Sequence, residues 1–391
     1  MEFATRMSRL GTETAFVVLA KAKQLEAQGK NIIHLEIGEP DFDTPMNIKK
    51  SAIRALENGW THYGPSAGLP ELREAIADEV TKTRGIKVTP SQVVVTPGGK
   101  PVMFFSMLAL LDEGDEVIYP NPGFPIYESV INFVGAKPVP IQLREQNCFR
   151  LDVNELLSLV SPKTKMIVIN SPQNPTGSML TKGDLEAIAQ IALKNNIIIL
   201  SDEIYSRIIY SGEHHSIFSF DGMQDHTIIL EGYSKTYAMT GWRLGYGVMP
   251  AALADQVARL QTNCNSCTAS FVQRAGIEAL NGPQLEVDKM VEEFRKRRDV
   301  IVAGLNEIDQ INCLVPEGAF YVFPNITRTG IESGKLAERI LYEAGVAALS
   351  GTAFGACGEG YIRLSYANSI ANIEIALDRL KTLFKQIKVF A

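Results

Sequence analysis

A lysine and an arginine stand eight residues apart in a segment that is otherwise aromatic, small and apolar, EGYSKTYAMTGWRLGY (231–246). The lysine, Lys235, follows the hydroxyl residue Ser234, and the arginine is Arg243. Most lysines are exposed surface residues, so neither charge is informative alone. Eight extended residues span up to roughly 26 Å, far longer than a small ligand. The segment therefore has to curl, as AMTG (238–241) allows, if the amine and the guanidinium are to hold opposite ends of one molecule.

Further polar groups follow apolar runs that we interpret as strands. They are Gly98-Gly99-Lys100, Asn174-Pro175-Thr176-Gly177, Asp202 with Tyr205, and Ser234-Lys235. In open α/β sheets, ligands bind beyond the carboxyl ends of the strands. One ligand that needs this set is pyridoxal 5′-phosphate. Its aldehyde reacts with a lysine, its ring nitrogen needs a carboxylate, and its phosphate needs an arginine, hydroxyls and amides at a helix N-terminus.

The elements that must position these groups alternate along the chain. Nearly all-apolar strands are indicated at QVVV (92–95), DEVIY (115–119), KMIVIN (165–170), IIILSD (197–202) and HTIILEG (226–232). Strands without polar alternation are buried on both faces, which is typical of parallel sheets. Helical segments lie between them, such as VMFFSMLALL (102–111) and LTKGDLEAIAQIALKNN (180–196). We therefore expect an α/β fold whose mostly parallel sheet is covered by helices on both faces.

The C-terminal third has a different pattern. A long amphipathic helix is predicted over 287–308, followed by short strands and helices that indicate a smaller α+β domain. The predicted organisation is an N-terminal arm and part of the small domain over 1–45, a large cofactor domain over 46–285, and a small domain over 286–391.

Composition narrows the functional classes. The 391 residues are 46% hydrophobic and 21% charged, with a net charge of −6, which gives no reason to expect nucleic acid or an anionic membrane as partner. The N-terminus lacks a signal-peptide pattern, so the expected location is cytoplasmic. Five cysteines suggest no disulfide framework. Cys264 and Cys267 form a C-x-x-C without a second pair or nearby histidine, so we expect buried or semi-buried thiols and no metal.

At this point the chain resembles a known family. The segment GYSKTYAMTGWRLG is similar to the cofactor-attachment motif of the class I aminotransferases, in the fold-type-I pyridoxal-phosphate family, and the bacterial aspartate and aromatic aminotransferases look most similar. The likeness covers nearly the whole chain and includes EIGEPDFDTP, THYGPSAGLPELREAI, VVVTPGGK, YPNPGFPIY, NSPQNPTG, SDEIY and YIRLSYANS. Several ordered motifs at family spacing are specific, whereas a lone S-K would be weak.

The resemblance implies a role for each cofactor residue. Lys235 would bond covalently to the cofactor and move the substrate α-proton, and Asp202 would pair with the ring nitrogen, although a helix N-cap is the alternative for Asp202. The 3-hydroxyl oxygen would meet Tyr205 and Asn174. Phe124 would stack on the ring, unless it is a plain core residue. The phosphate would be bound by Ser234, Arg243 and the helix N-terminus at Gly99 and Lys100.

Two more residues are implied for the substrate and one for a partner chain. Arg363, in YIRLSYANS, would take the amino acid's α-carboxylate beside Asn174 and the backbone of Gly38, with a surface ion pair as the alternative for Arg363. Tyr63, in HYGP, would reach the phosphate of a neighbouring subunit and make a homodimer part of the site.

The reaction implied is transfer of an amino group from an L-amino acid to a 2-oxo acid in a ping-pong cycle. A β-lyase, another elimination or cyclising enzyme, and a non-enzymatic regulatory domain remain alternatives on this fold. The substrate side chain is open: the segment 263–271 lacks the second arginine of animal-type aspartate aminotransferases, and Lys100 resembles a lysine that some bacterial enzymes use instead. Aspartate, glutamate, alanine and aromatic amino acids all stay under consideration.

Overall fold

The computed structural model describes residues 1–387. Twelve strands are β1 Ile33–His34, β2 Val93–Thr96, β3 Glu116–Asn121, β4 Lys137–Gln142, β5 Thr164–Asn170, β6 Ile198–Asp202, β7 Thr227–Gly232, β8 Gly245–Val248, β9 Tyr321–Val322, β10 Val346–Ala347, β11 Leu349–Ser350 and β12 Ile362–Ser365 within that range. None of the helices in residues 1–387 combines the length and the apolar character that a membrane span requires.

The α-helices described within residues 1–387 are α1 Thr14–Ala27, α2 Met46–Glu57, α3 Pro70–Arg84, α4 Lys100–Leu110, α5 Ile126–Val134, α6 Val153–Leu159, α7 Lys182–Asn195, α8 Tyr233–Thr236, α9 Ala251–Asn265, α10 Ser270–Asn281, α11 Leu285–Asn306, α12 Ser333–Arg339 and α13 Ile370–Phe384. A π-helical turn, Ile340–Ala344, continues α12. Local signals explain several ends: Thr181 and Asp184 form a capping box that opens α7, and Gly85 closes α3 at φ 71°.

The large sheet has seven strands in the order β2-β8-β7-β6-β5-β3-β4. Strand β8 runs antiparallel to both of its neighbours, and the other pairs are parallel. Both faces are covered, because Val93 and Val95 pack in a core cluster with α3 and α10, whereas Val94 packs in another with α4, α5 and α9. The expected α/β fold with a mostly parallel sheet is confirmed.

Two strands of this sheet were not anticipated. Strand β4 contains Pro138 and Pro140 and lies at the sheet edge, where prolines are tolerated because one side of the strand has no partner. Strand β8 has the sequence GYGV, and its two glycines give it a low strand propensity. It needs its glycines because a side chain on Gly245 would meet the backbone of Gly98 and Gly99 at 2.5–2.6 Å.

Smaller sheets lie in the C-terminal part of the chain. Strands β11, β12 and β9 form an antiparallel sheet, and β1 near the N-terminus pairs in parallel with β10. Helices α11 and α13 pack together around Leu305 and Leu377 in one core cluster. We propose the domain division 1–45, 46–285 and 286–391 on these pairings, with 388–391 lying outside the described residues.

The cysteine expectation is partly wrong. Cys264 is exposed and Cys267 is half-buried, and both are free. Cys264 lies in the last turn of α9, beyond the last buried residue of that helix, Gln261. The same part of the chain holds no group of three or more residues suited to bind a metal ion.

Candidate active site

A cavity of about 540 Å³ opens at the carboxyl ends of the parallel strands. The antiparallel direction of β8 explains how Arg243 reaches it: β7 ends at this edge and β8 starts there, with Gly232 opposite Gly245. The sequence-predicted residues that line the cavity are Gly38, Gly99, Lys100, Phe124, Asn174, Asp202, Tyr205, Ser234, Lys235, Arg243 and Arg363.

Tyr63 does not line the cavity. Its side chain is 88% exposed in the single chain, so its role toward a neighbouring subunit stays a prediction.

Lys235 lies in the short helix α8, directly after β7. Its Nζ donates a hydrogen bond to the carbonyl oxygen of Gly38 and lies 5.9 Å from the centroid of the Phe320 ring. Burial lowers the pKa of Lys235 to about 8, and the positive charges of Arg363 and Arg243 act in the same direction. A lysine with this pKa is a better base and nucleophile at neutral pH than an exposed one.

Asp202 ends β6 as a buried carboxylate, 7% exposed. One oxygen accepts a hydrogen bond of 2.5 Å from the Tyr127 hydroxyl, and the other accepts from the Ile204 amide at 3.2 Å. Burial raises the pKa of Asp202 to about 6, against the effect of these hydrogen bonds. Within residues 1–387 it forms no ion pair, and an unpaired buried carboxylate is costly. The site therefore fits a ligand that brings a protonated ring nitrogen.

A site suited to a negatively charged group, in contrast to the one at Asp202, lies at the glycine-rich turn. Gly98 has φ 90°, and a side chain there would collide with the Arg243 guanidinium. Gly99 and Lys100 begin α4, with a free helix N-terminus at the cavity. Arg243 itself has φ 54° and donates to the Thr240 carbonyl at 2.7 Å. Backbone amides of a helix N-terminus together with a guanidinium fit a phosphate group.

Arg363, on β12, is 4% exposed. Nη1 donates to Asn174 Oδ1 at 3.1 Å, Nη2 donates to the Glu36 carbonyl, and Nε has no partner in the described residues. The guanidinium carbon is 4.4 Å from the centroid of the Tyr321 ring. Because Arg363 is buried and forms no ion pair within the described part of the chain, the surface ion-pair alternative is wrong. A buried guanidinium with a spare N–H fits a carboxylate ligand.

Four of the aromatic residues that line the cavity contact one another in two pairs. The hydroxyls of Tyr205 and Tyr321 are 2.7 Å apart, and burial raises the pKa of Tyr205 well above its usual value. Phe124 packs edge-on against Tyr127, with ring centroids 5.6 Å apart. Tyr127 and Tyr321 were missed by the sequence analysis, since both lie within apolar runs that predict only core.

A network of buried charges lies behind Asp202. The next residue, Glu203, is 1% exposed and accepts from Arg84 Nη2 at 2.7 Å and Nε at 3.0 Å. His214 Nε2 lies 3.0 Å from the same oxygen. Arg84 also reaches Glu231, on β7, at 3.4 Å. The network thus joins the strand that carries Asp202 to the strand that leads into Lys235.

The chain is similar to known proteins over nearly its whole length. The family model for aminotransferase class I and II matches residues 30–380. The chain is 43% identical to the aspartate aminotransferase of Pyrococcus abyssi, over 95% of this chain and 96% of that protein. It is 42% identical to aromatic-amino-acid aminotransferase 2 of Thermococcus litoralis, over 93% and 94%. The solved aspartate aminotransferase from Thermus thermophilus with maleate superposes with a TM-score of 0.95 at 37% identity, over 98% of this chain and all of that one.

The chain therefore belongs to the class I and II aminotransferases. It is an enzyme that transfers amino groups, and the comparisons do not favour the elimination alternative. Members of this family in general use pyridoxal phosphate, with amino acids and 2-oxo acids as substrates.

Proposed function

We propose that the cavity binds pyridoxal 5′-phosphate and catalyses ping-pong transfer of an amino group from an L-amino acid to a 2-oxo acid. The observation that carries the proposal is the convergence of a lysine with lowered pKa, a buried carboxylate without a cation, and a helix N-terminus beside Arg243 in one cavity. When bound, this cofactor supplies an aldehyde for the substrate amine and a ring that stores the electrons of a broken bond at the α-carbon.

Each cofactor group has a proposed holder. The Lys235 amine holds the aldehyde, and the Asp202 carboxylate keeps the ring nitrogen protonated, with the Tyr127 hydroxyl fixing that carboxylate. The remaining contacts are the 3-hydroxyl oxygen with Tyr205 and Asn174, the ring face with Phe124, and the phosphate with Ser234, Arg243 and the amides of Gly99 and Lys100. In a homodimer, Tyr63 of each chain reaches the phosphate of the other.

Arg363 is proposed to orient the substrate. Its guanidinium binds the α-carboxylate, while Asn174 and the Glu36 carbonyl hold the guanidinium in place. The Gly38 carbonyl, which accepts from Lys235 in this structure, lies beside the same carboxylate. Once the substrate amine has replaced Lys235 at the cofactor, the released Lys235 amine would lie near the α-carbon. It would take the α-proton and deliver it to the cofactor carbon that carried the aldehyde. A lysine pKa of about 8 leaves an appreciable neutral fraction for this step.

The test is to identify the lysine that holds the cofactor. Purified protein supplied with pyridoxal phosphate should be yellow, and borohydride should fix the cofactor on the peptide that contains Lys235. Lys235→Ala should lose both the label and transamination. Lys100→Ala, a second cavity lysine, is the matched control and should keep the label. A Lys235→Ala protein that transaminates at the normal rate would refute the assignment.

A further inference from the structure

The more exposed lysine of the cavity already has a carboxylate partner. Lys100 Nζ donates to Glu13 Oε1, with the two side chains 49% and 18% exposed. Glu13 occupies the N-cap position of α1 but makes no side-chain cap bond to that helix. Its carboxylate instead accepts a hydrogen bond from Lys100, which lies 87 residues away along the chain.

Among the described residues that line the cavity, every positively charged side chain is either used by the proposed function or paired with a carboxylate. Four cationic and three carboxylate side chains line it. The proposed function uses Lys235, Arg243 and Arg363 for the cofactor aldehyde, the cofactor phosphate and the α-carboxylate, and it uses Asp202 for the ring nitrogen. The residues left are the Lys100–Glu13 pair and Glu39, which accepts from the Thr240 hydroxyl. A second substrate carboxylate therefore finds no unpaired cation among the described lining residues.

Glu13 is also close enough to act on the buried groups of the site. Burial lowers the pKa of Lys235 and of Arg363, and the negative charge of Glu13 opposes this in both. Next to the pair, Phe124 offers an apolar surface, with its ring centroid 5.6 Å from Lys100 Nζ. Phe16, one turn along α1, lines the same cavity.

We propose that Glu13 is a specificity residue that occupies Lys100 and disfavours substrates with a second carboxylate, so that amino acids with apolar or aromatic side chains are preferred. This inference rests on the proposed function and names its substrate class. An acidic side chain has to displace Glu13 from Lys100 and then meets the displaced carboxylate, whereas an apolar side chain leaves the pair intact. Rejection by a like charge is a common source of selectivity.

The experiment compares two ligands that differ in one charge. Succinate and its monoamide, succinamate, have nearly the same shape, and each offers one carboxylate to Arg363. Their Kd values are measured by calorimetry on the holoenzyme of wild type, Glu13→Gln and Glu39→Gln. Glu39→Gln is the matched control, because it removes a cavity carboxylate that does not touch Lys100.

We expect Glu13→Gln to strengthen succinate binding relative to succinamate by about tenfold or more, equivalent to about 1.4 kcal/mol. Glu39→Gln should change this ratio far less, and Lys100→Gln added to Glu13→Gln should abolish the gain. The efficiency ratio for aspartate against phenylalanine should rise in Glu13→Gln as well.

Three results would overturn the inference: an unchanged ratio in Glu13→Gln, an equal gain in Glu39→Gln, or a gain that persists without Lys100. Failure of the proposed function is separately visible as a protein that binds no pyridoxal phosphate or transaminates no amino acid. Failure of the specificity inference leaves transamination intact and the binding ratio unmoved.

Discussion

Replacement of Arg84 by methionine tests whether the buried charge network behind Asp202 stabilises the fold. Arg84 ends α3, and its side chain is 8% exposed. Methionine fills much of the space of the aliphatic stem but removes three contacts to Glu203 and Glu231. Glu203 is then left with His214 and serine hydroxyls as partners for a buried charge.

The expected loss follows from the pKa of Glu203. Burial alone would raise it, but Arg84 and the bond from His214 outweigh burial and lower the pKa from 4.5 to about 2. By linkage, this difference is worth about 3 kcal/mol of stability at neutral pH. Breaking a buried ion pair costs about 3–5 kcal/mol in other proteins. We therefore expect Arg84→Met to lower the free energy of unfolding by about 3 kcal/mol.

The sign of the pH dependence is fixed by the lowered pKa. The stabilising charge of Glu203 is fully present above pH 4.5 and is lost as the pH falls toward 2. The difference between wild type and Arg84→Met should therefore be largest near neutral pH and should shrink below pH 4.5. Urea unfolding of the apoprotein, followed by circular dichroism, measures this difference at each pH.

The matched control is Arg339→Met. Arg339 forms a two-pronged pair with Glu343, at 2.8 and 3.0 Å, but the two side chains are 35% and 45% exposed. Water screens such a pair, so this variant should lose much less stability. The double variant Arg84→Met/Glu203→Gln should recover part of the loss, because it removes the orphaned charge. An Arg84→Met protein as stable as Arg339→Met at neutral pH would refute the reasoning.

Three further predictions concern the site itself. Arg363→Lys keeps the positive charge but loses the two-pronged hydrogen bond of the guanidinium. For every amino acid, kcat/KM should therefore fall by the factor that corresponds to a loss of about 1.5–3 kcal/mol in transition-state stabilisation. If one substrate kept its kcat/KM while another lost it, Arg363 would be selecting side chains. Tyr127→Phe removes a donor that lowers the pKa of Asp202, so the acid limb of cofactor Kd against pH should move to higher pH, and an unmoved limb would contradict the contact. Gly38→Ala brings a methyl group onto the Tyr321 hydroxyl, which should cost about 1–3 kcal/mol of unfolding free energy; Tyr321→Phe should restore part of it, and no recovery would point to another clash.

Some of the site could be predicted from local sequence because strand ends are local features. Lys235 and Asp202 stand directly after apolar runs, and parallel strands bring such ends to one edge. The apolar runs predicted the α/β fold, and the resemblance of several motifs to a known family predicted the family membership and the amino-transfer function; all three are confirmed. The individual roles of the site residues stay predictions.

Other parts of the site could not be predicted, because they depend on tertiary packing. Tyr127 looks like a core residue until α5 turns its hydroxyl onto Asp202. Glu13 belongs to no motif, and the role proposed for it depends on a contact with a helix that begins 87 residues later. Strand β8 was missed because its glycines weaken the strand pattern, although close approach to Gly98 requires them.

The contact between Arg363 and the Glu36 carbonyl joins residues 327 positions apart in the chain, and this separation affects how the protein is made. A ribosome adds about 5–20 residues per second, so the segment around Glu36 emerges roughly 16–65 s before its partner exists. During that time β1 also lacks β10, with which it pairs. Lys235 and Arg243 are therefore synthesised before the part of the cavity wall that contains Arg363, and the wall closes only after residue 363 has emerged.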